Sequence, residues 1–122
     1  MRIFKWVVPL AVMASLVSLP VHADGTATVV VVTHLDIIPD FAAQAQPLIE
    51  QFVVDSRNDP GVKRFTMISW TPTTNHFQLI EVFRDMKAFD QHVSAEHTIE
   101  FRDQLQPFIG APNDERLYSN QP

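Results

Sequence analysis

Beyond the first two dozen residues, the densest apolar run is Val29-Val30-Val31-Val32, inside a stretch from Thr26 to Asp36 that lacks strict apolar/polar alternation. β-Branched residues without alternation predict a strand covered on both faces. After Ile37-Ile38-Pro39, Asp40 stands where a helix cap belongs, and Phe41, Ala45, Leu48, Ile49, Phe52 and Val53 follow at helical spacing. Pro47 falls inside this helix, where its ring and missing N–H cost about 3 kcal/mol, so a kink or a separate first turn is expected. Asp59-Pro60-Gly61 stops the helix. Val62 to Trp70 and Phe77 to Phe83 then read as an antiparallel hairpin joined by the turn-forming stretch Thr71 to His76. Asp85 caps a second helix with Phe89 and Val93 on one face, continued by Phe101, Leu105 and Phe108, with a break near Ser94-Ala95 left open. Glu115 to Ser119 forms a short last strand.

The order β-α-β-β-α-β is that of a ferredoxin-like α+β domain. Two helices cover only one face of four strands, yet both faces of the first strand are apolar. A second copy of the chain is the economical cover, so the pattern predicts a homodimer through the sheets.

Composition alters this picture at the N-terminus. Arg2 and Lys5 precede an apolar stretch from Trp6 to Leu19, followed by Pro20 and the small-residue site Val21-His22-Ala23. These are the three regions of a secretory signal peptide, which assigns residues 1–23 to the signal and 24–122 to one domain, periplasmic or secreted and free of the membrane after cleavage. The apolar core is shorter than the ~20 residues of a spanning helix. There is no cysteine, so neither a disulfide framework nor a thiol site is available. Fourteen acidic residues against nine basic ones, two of these in the signal, make nucleic acid an unsuitable partner.

Three groups of residues carry a resemblance: Ser56-Arg57-x-x-Pro60-Gly61, then Glu81-x-x-Arg84-Asp85, then Phe89-x-x-His92-x-x-x-x-His97. In order and spacing they resemble the antibiotic-biosynthesis-monooxygenase family, in particular its quinol-monooxygenase-like members, over roughly Val29 to Tyr118. The resemblance implies a dimeric α/β barrel and oxygenation with dioxygen, without metal, flavin or haem. The sequence departs from the family at Phe83, where many members carry tryptophan. The haem-degrading branch of that superfamily uses a strand asparagine, a helix tryptophan and a helix histidine. His34, His92 and Arg102 stand in those places, which disfavours haem degradation.

Cofactor-free oxygenation needs an electron-rich aromatic substrate, a base and a dry pocket. Histidine suits the base because its pKa lies near neutrality. His34, His92 and His97 are the candidates, with Glu81 either orienting a histidine or pairing with Arg84 or Arg57. Trp70, Phe83, Phe89 and Phe101 are candidate walls for a small quinol or phenol, and each also serves as ordinary core. His97 lies five positions after His92, about 140° around an unbroken helix, so the two share a face only if the helix breaks near Ala95. His76 is expected in the solvated hairpin turn. The four histidines after residue 23 lack the i, i+4 spacing of a helical zinc pair, so no metal site is expected. A noncatalytic dimeric binding or stress-response protein holding a hydrophobic small molecule is the alternative, and an oxygen-independent isomerase or decarboxylase on the same barrel a third reading.

Overall fold

A computed structural model describes residues 27–120; the expected signal peptide with its expected cleavage site, and Thr26, lie outside the described residues. The elements run β1 (Val29–Asp36), α1 (Ala42–Ser56), β2 (Val62–Ser69), β3 (His76–Phe83), α2 (Met86–Ser94), α3 (Glu96–Leu105) and β4 (Asp114–Ser119), with single 3-10 turns at Pro39–Phe41 and Gln106–Phe108. The strands form one antiparallel sheet in the order β2-β3-β1-β4. This is the expected α+β, ferredoxin-like arrangement with the second helix split in two.

Strand periodicity sorts β1 between two environments. Val29, Val31, Thr33 and Leu35 point to the helices and are buried, while Val30, Val32, His34 and Asp36 point the other way and are only partly covered. Register carries the same division across the sheet: Val31 faces Glu81 and Leu117, whereas Val32 faces Ile80 and Arg116. The expectation that β1 is covered on both faces is therefore corrected for the single chain. An unalternating apolar run shows that both faces are apolar, not that both are covered within the chain. The core lies on the helix side, where Val31, Leu35, Ile49, Phe65, Leu79 and Phe83 meet.

Three local features also differ from expectation. Asp40 lies inside the 3-10 turn opened by Pro39, and the residue before α1 is Phe41, with no side-chain cap. Pro47 sits in an uninterrupted α1. The carbonyl deprived of its donor belongs to Ala43, and both residues are exposed, so water can replace the missing hydrogen bond. His76 is the first residue of β3 rather than part of the turn. Asp85 caps α2 as expected, accepting from the Ala88 amide at 2.8 Å.

Candidate functional site

The turn after α1 sets the first group of the site. Gly61 has φ +78, and a Cβ there would come within 2.5 Å of the Ala88 Cβ, so only glycine fits between this turn and α2. The Gly61 carbonyl accepts from the Arg84 amide at 2.7 Å, and the Asp59 amide donates to the Ser56 carbonyl at 3.1 Å. Asp59 is thereby held beneath the junction of α2 and α3.

That junction is Ala95, whose extended backbone (φ −64, ψ 144) ends α2 and starts α3. The break brings together two histidines that an unbroken helix would separate. His92 Nδ1 lies 2.8 Å and His97 Nε2 3.0 Å from the same oxygen, Asp59 Oδ2. An ionised carboxylate only accepts, so it fixes the His92 proton on Nδ1 and leaves the lone pair on Nε2. Nε2 faces Glu81 Oε2 at 3.9 Å, beyond hydrogen-bond length. Glu81 instead takes a hydrogen bond from the Thr33 hydroxyl at 3.2 Å. Neither anticipated arginine reaches it: Arg57 donates to the Phe65 carbonyl and Arg84 pairs with Asp85.

Aromatic rings enclose the cluster. Phe52, Phe65 and Phe83 lie with ring centroids 5.6, 5.3 and 5.2 Å from that of His92. Burial among them lowers the His92 pKa, outweighing the opposing hydrogen bond and charge of Asp59. Burial likewise raises the Glu81 pKa to about 8; the Thr33 hydrogen bond opposes this, the Glu115 charge adds to it and the Arg102 charge opposes it. At neutral pH the site therefore sets a neutral imidazole beside a protonated carboxylic acid. Two expected wall residues, Phe89 and Phe101, line a cleft beside this pair, together with Thr33, Arg102, Asn113 and Glu115. Phe83 lies behind the imidazole and outside that lining.

The cleft encloses about 20 Å³, room for about one water. Arg102, Asn113 and Glu115 also border an outer depression of about 360 Å³. An ion pair between Arg102 and Glu115, 3.2 Å, stands on the boundary.

His34 and Trp70 belong to the opposite face. His34 Nε2 lies 3.1 Å from His76 Nδ1, and His76 Nε2 is 3.8 Å from Asp36 Oδ1. With Trp70, Ile68 and Phe77 they line an open pocket of about 410 Å³. The structure thus brings together His92, His97, Glu81, Phe89 and Phe101, and separates His34 and Trp70 from them by the thickness of the sheet. Sequence reasoning missed Asp59, Thr33 and the cleft-mouth residues. The one available signal was an aspartate held immediately before a Pro-Gly turn.

A protein-family model described as antibiotic biosynthesis monooxygenase matches residues 28–104. No curated protein matches the chain. Among solved structures, a Nitrosomonas europaea protein assigned to the antibiotic biosynthesis monooxygenases is similar at TM-score 0.74 and 18% identity, covering 82% of this chain and 95% of its own. One from Caulobacter crescentus, assigned likewise, gives TM-score 0.74 at 14% identity, covering 80% and 92%. A Mycobacterium tuberculosis protein, Rv0793, gives 0.73 at 18%, covering 78% and 96%. At these identities the likeness is one of fold.

Proposed function

The chain belongs to the antibiotic biosynthesis monooxygenase family, and from that premise we propose that it is a cofactor-independent monooxygenase which oxidises a small quinol or phenol with dioxygen. The observation that carries this reading is the buried His92, held on Nδ1 by Asp59 at 2.8 Å and facing Glu81 with Nε2. Nε2 takes the proton of the aromatic hydroxyl, and Asp59 stabilises the resulting imidazolium. The phenolate is then electron-rich enough to reduce dioxygen. One oxygen atom enters the ring, the other leaves as water, and the substrate supplies all four electrons, so no external reductant is required. Glu81, protonated at neutral pH, is placed to return a proton to the departing oxygen.

A benzene ring does not fit in about 20 Å³. Substrate access therefore requires the cleft to widen, and the Arg102–Glu115 ion pair stands where it would open.

The same reading includes a homodimer. Val30, Val32, Ile80, Val82 and Ile68 share the sheet face that no helix among the described residues covers, and a second copy laid across it would bury them. It also includes export to the periplasm or the exterior, supported by the charged, apolar and small-residue order of residues 1–23. Among the described residues no helix is long and apolar enough to cross a membrane.

One observation favours a second reading, a noncatalytic dimeric binding or stress-response protein. The roomier pocket, about 410 Å³, is on the open face and mostly apolar, which suits retention of a hydrophobic small molecule. Dissolved-oxygen measurements on purified protein with hydroquinones and phenols, corrected for spontaneous oxidation, separate the two. Saturable uptake that falls at least about tenfold in His92→Ala supports the oxygenase. Saturable binding with no uptake above background rejects it.

A further inference from the structure

The Asp59 cluster has a property that proton transfer does not require. One carboxylate oxygen and two imidazole nitrogens converge within 4.8 Å of one another. The His92 contact is aligned as a hydrogen bond, but the His97 contact is not: His97 Nε2 is buried, 3.0 Å from Asp59 Oδ2, and has no hydrogen-bond partner among the described residues. Ser56 Oγ and Thr98 Oγ1 are also buried without partners, and they belong to the residue whose carbonyl receives the Asp59 amide and to the residue after His97. A buried polar atom left unpaired costs about 1–3 kcal/mol. Such atoms are rare in native proteins, and an imidazole nitrogen left so beside a carboxylate and a second imidazole marks a place for a bound ion or water.

We propose that Asp59 Oδ2, His92 Nδ1 and His97 Nε2 form a binding site for a divalent first-row transition ion of the zinc type. Ligands bonded at about 2.0–2.1 Å in a tetrahedral site stand about 3.3 Å apart. The two distances to Asp59 Oδ2, 2.8 and 3.0 Å, are shorter by a few tenths of an ångström, so an entering ion spreads its ligands slightly. Two imidazoles and one carboxylate suit zinc, iron(II), cobalt(II) or nickel(II), whereas magnesium and calcium require oxygen ligands throughout. A metal on Nδ1 turns the other nitrogen of His92 toward Glu81, in the position where metal-bound imidazoles usually meet an outer carboxyl group. The three ligands come from the α1–β2 turn, α2 and α3, so an ion there ties together the segments that meet at the Ala95 break.

This site does not depend on the oxygenase reading, because it is tested without substrate. The two are nevertheless linked: a cation and a proton cannot occupy His92 Nδ1 together, so loaded and unloaded protein are alternative states of the same histidine.

The test uses the full chain, stripped with chelator and titrated with Zn²⁺ by calorimetry and with Co²⁺ by visible absorption. One ion per chain is expected, with Co²⁺ ligand-field bands and no heat from Mg²⁺. Asp59→Asn and His97→Gln, checked for folding by circular dichroism, should each weaken Zn²⁺ binding by about 100-fold or more, as loss of a ligand requires. His76→Gln, which breaks the histidine pair on the other face, should leave it unchanged. Absence of stoichiometric binding overturns the proposal, as does binding that survives either cluster substitution or disappears in His76→Gln. Should a cluster variant fail to fold, histidine ring ¹⁵N spectra of the natural chain decide: Zn²⁺ must shift His92 and His97 and spare His34 and His76, and the reverse pattern rejects the site.

Discussion

Two histidine pairs lie on opposite faces of one sheet, and each has what the other lacks. His92 and His97 are enclosed by phenylalanines and joined through a carboxylate, but the cleft beside them is about 20 Å³. His34 and His76 touch each other directly at the rim of about 410 Å³ of open space. Enclosure perturbs proton affinities, as at His92 and Glu81; an open pocket supplies contact area and leaves its polar groups to water. The difference teaches that a roomy pocket and strongly perturbed proton affinities need not coincide in a single chain. The first experiment to break the comparison exchanges a histidine from each side. With a quinol substrate, His92→Ala should lower kcat/KM by about 100-fold or more, the usual contribution of a positioned base. His34→Ala should change it by less than about threefold, since its ring is on the other face. Equal losses, measured by oxygen uptake, would mean that the two pairs serve one site.

A second test concerns the open face. In the dimer proposed above, Ile80 lies near the middle of the exposed sheet surface, beside Val32 on β1 and Thr66 on β2. Ile80→Lys should weaken self-association by about 100-fold, because it places an unpaired charge in an apolar contact. Sedimentation equilibrium at a series of concentrations reads this directly. The comparison sharpens if the variant becomes monomeric while its helix-side cluster still gives native histidine spectra. A monomeric natural chain would remove the dimer from the proposal.

Much of the order of elements was legible in the sequence, and the reason is locality. The hairpin, the Asp85 cap and the buried positions of Phe89, Phe101 and Leu105 depend on neighbours within a few residues. His34 was illegible because a strand alternates its side chains, and an all-valine run gives no polar position to show which parity faces the helices. Asp59 was illegible because its partner His92 is 33 residues away and its Asp-Pro-Gly context already had a sufficient explanation as a helix stop. The convergence of His92 with His97 depended on whether Ala95 breaks the helix, and either outcome was compatible with the spacing. A cluster built by a helix break and a distant turn leaves no i, i+4 pair in the sequence.

Glu81 offers a test by pH. Its pKa is about 8 in the folded chain against 4.5 for the ordinary carboxyl, so the folded state binds more protons than the unfolded state between those values. The contribution of Glu81 to stability must therefore fall as pH rises from near 4.5 to about 8 and level off above, with a slope of at most about 1.4 kcal/mol per pH unit. Glu81→Gln keeps the shape without the charge, so its stability relative to the natural chain should increase over that interval. Urea denaturation at several pH values checks the prediction, and parallel curves for the two proteins would show that Glu81 is not held protonated.

The smallest effect comes from neighbours on one strand. Thr33 and His34 are adjacent in β1, yet the Thr33 hydroxyl supports Glu81 on the helix side while His34 points into the open pocket. Thr33→Val preserves the branched shape and removes that hydrogen bond, at a cost of about 1 kcal/mol. Because the bond opposes the effect of burial on Glu81, its loss should push the carboxyl pKa still higher and extend the pH-dependent loss of stability to more alkaline pH. His34→Ala should leave that profile where it is. The pair isolates the meaning of the comparison: two consecutive residues differ in effect because the pleat directs one toward the enclosed carboxyl group and the other toward open space.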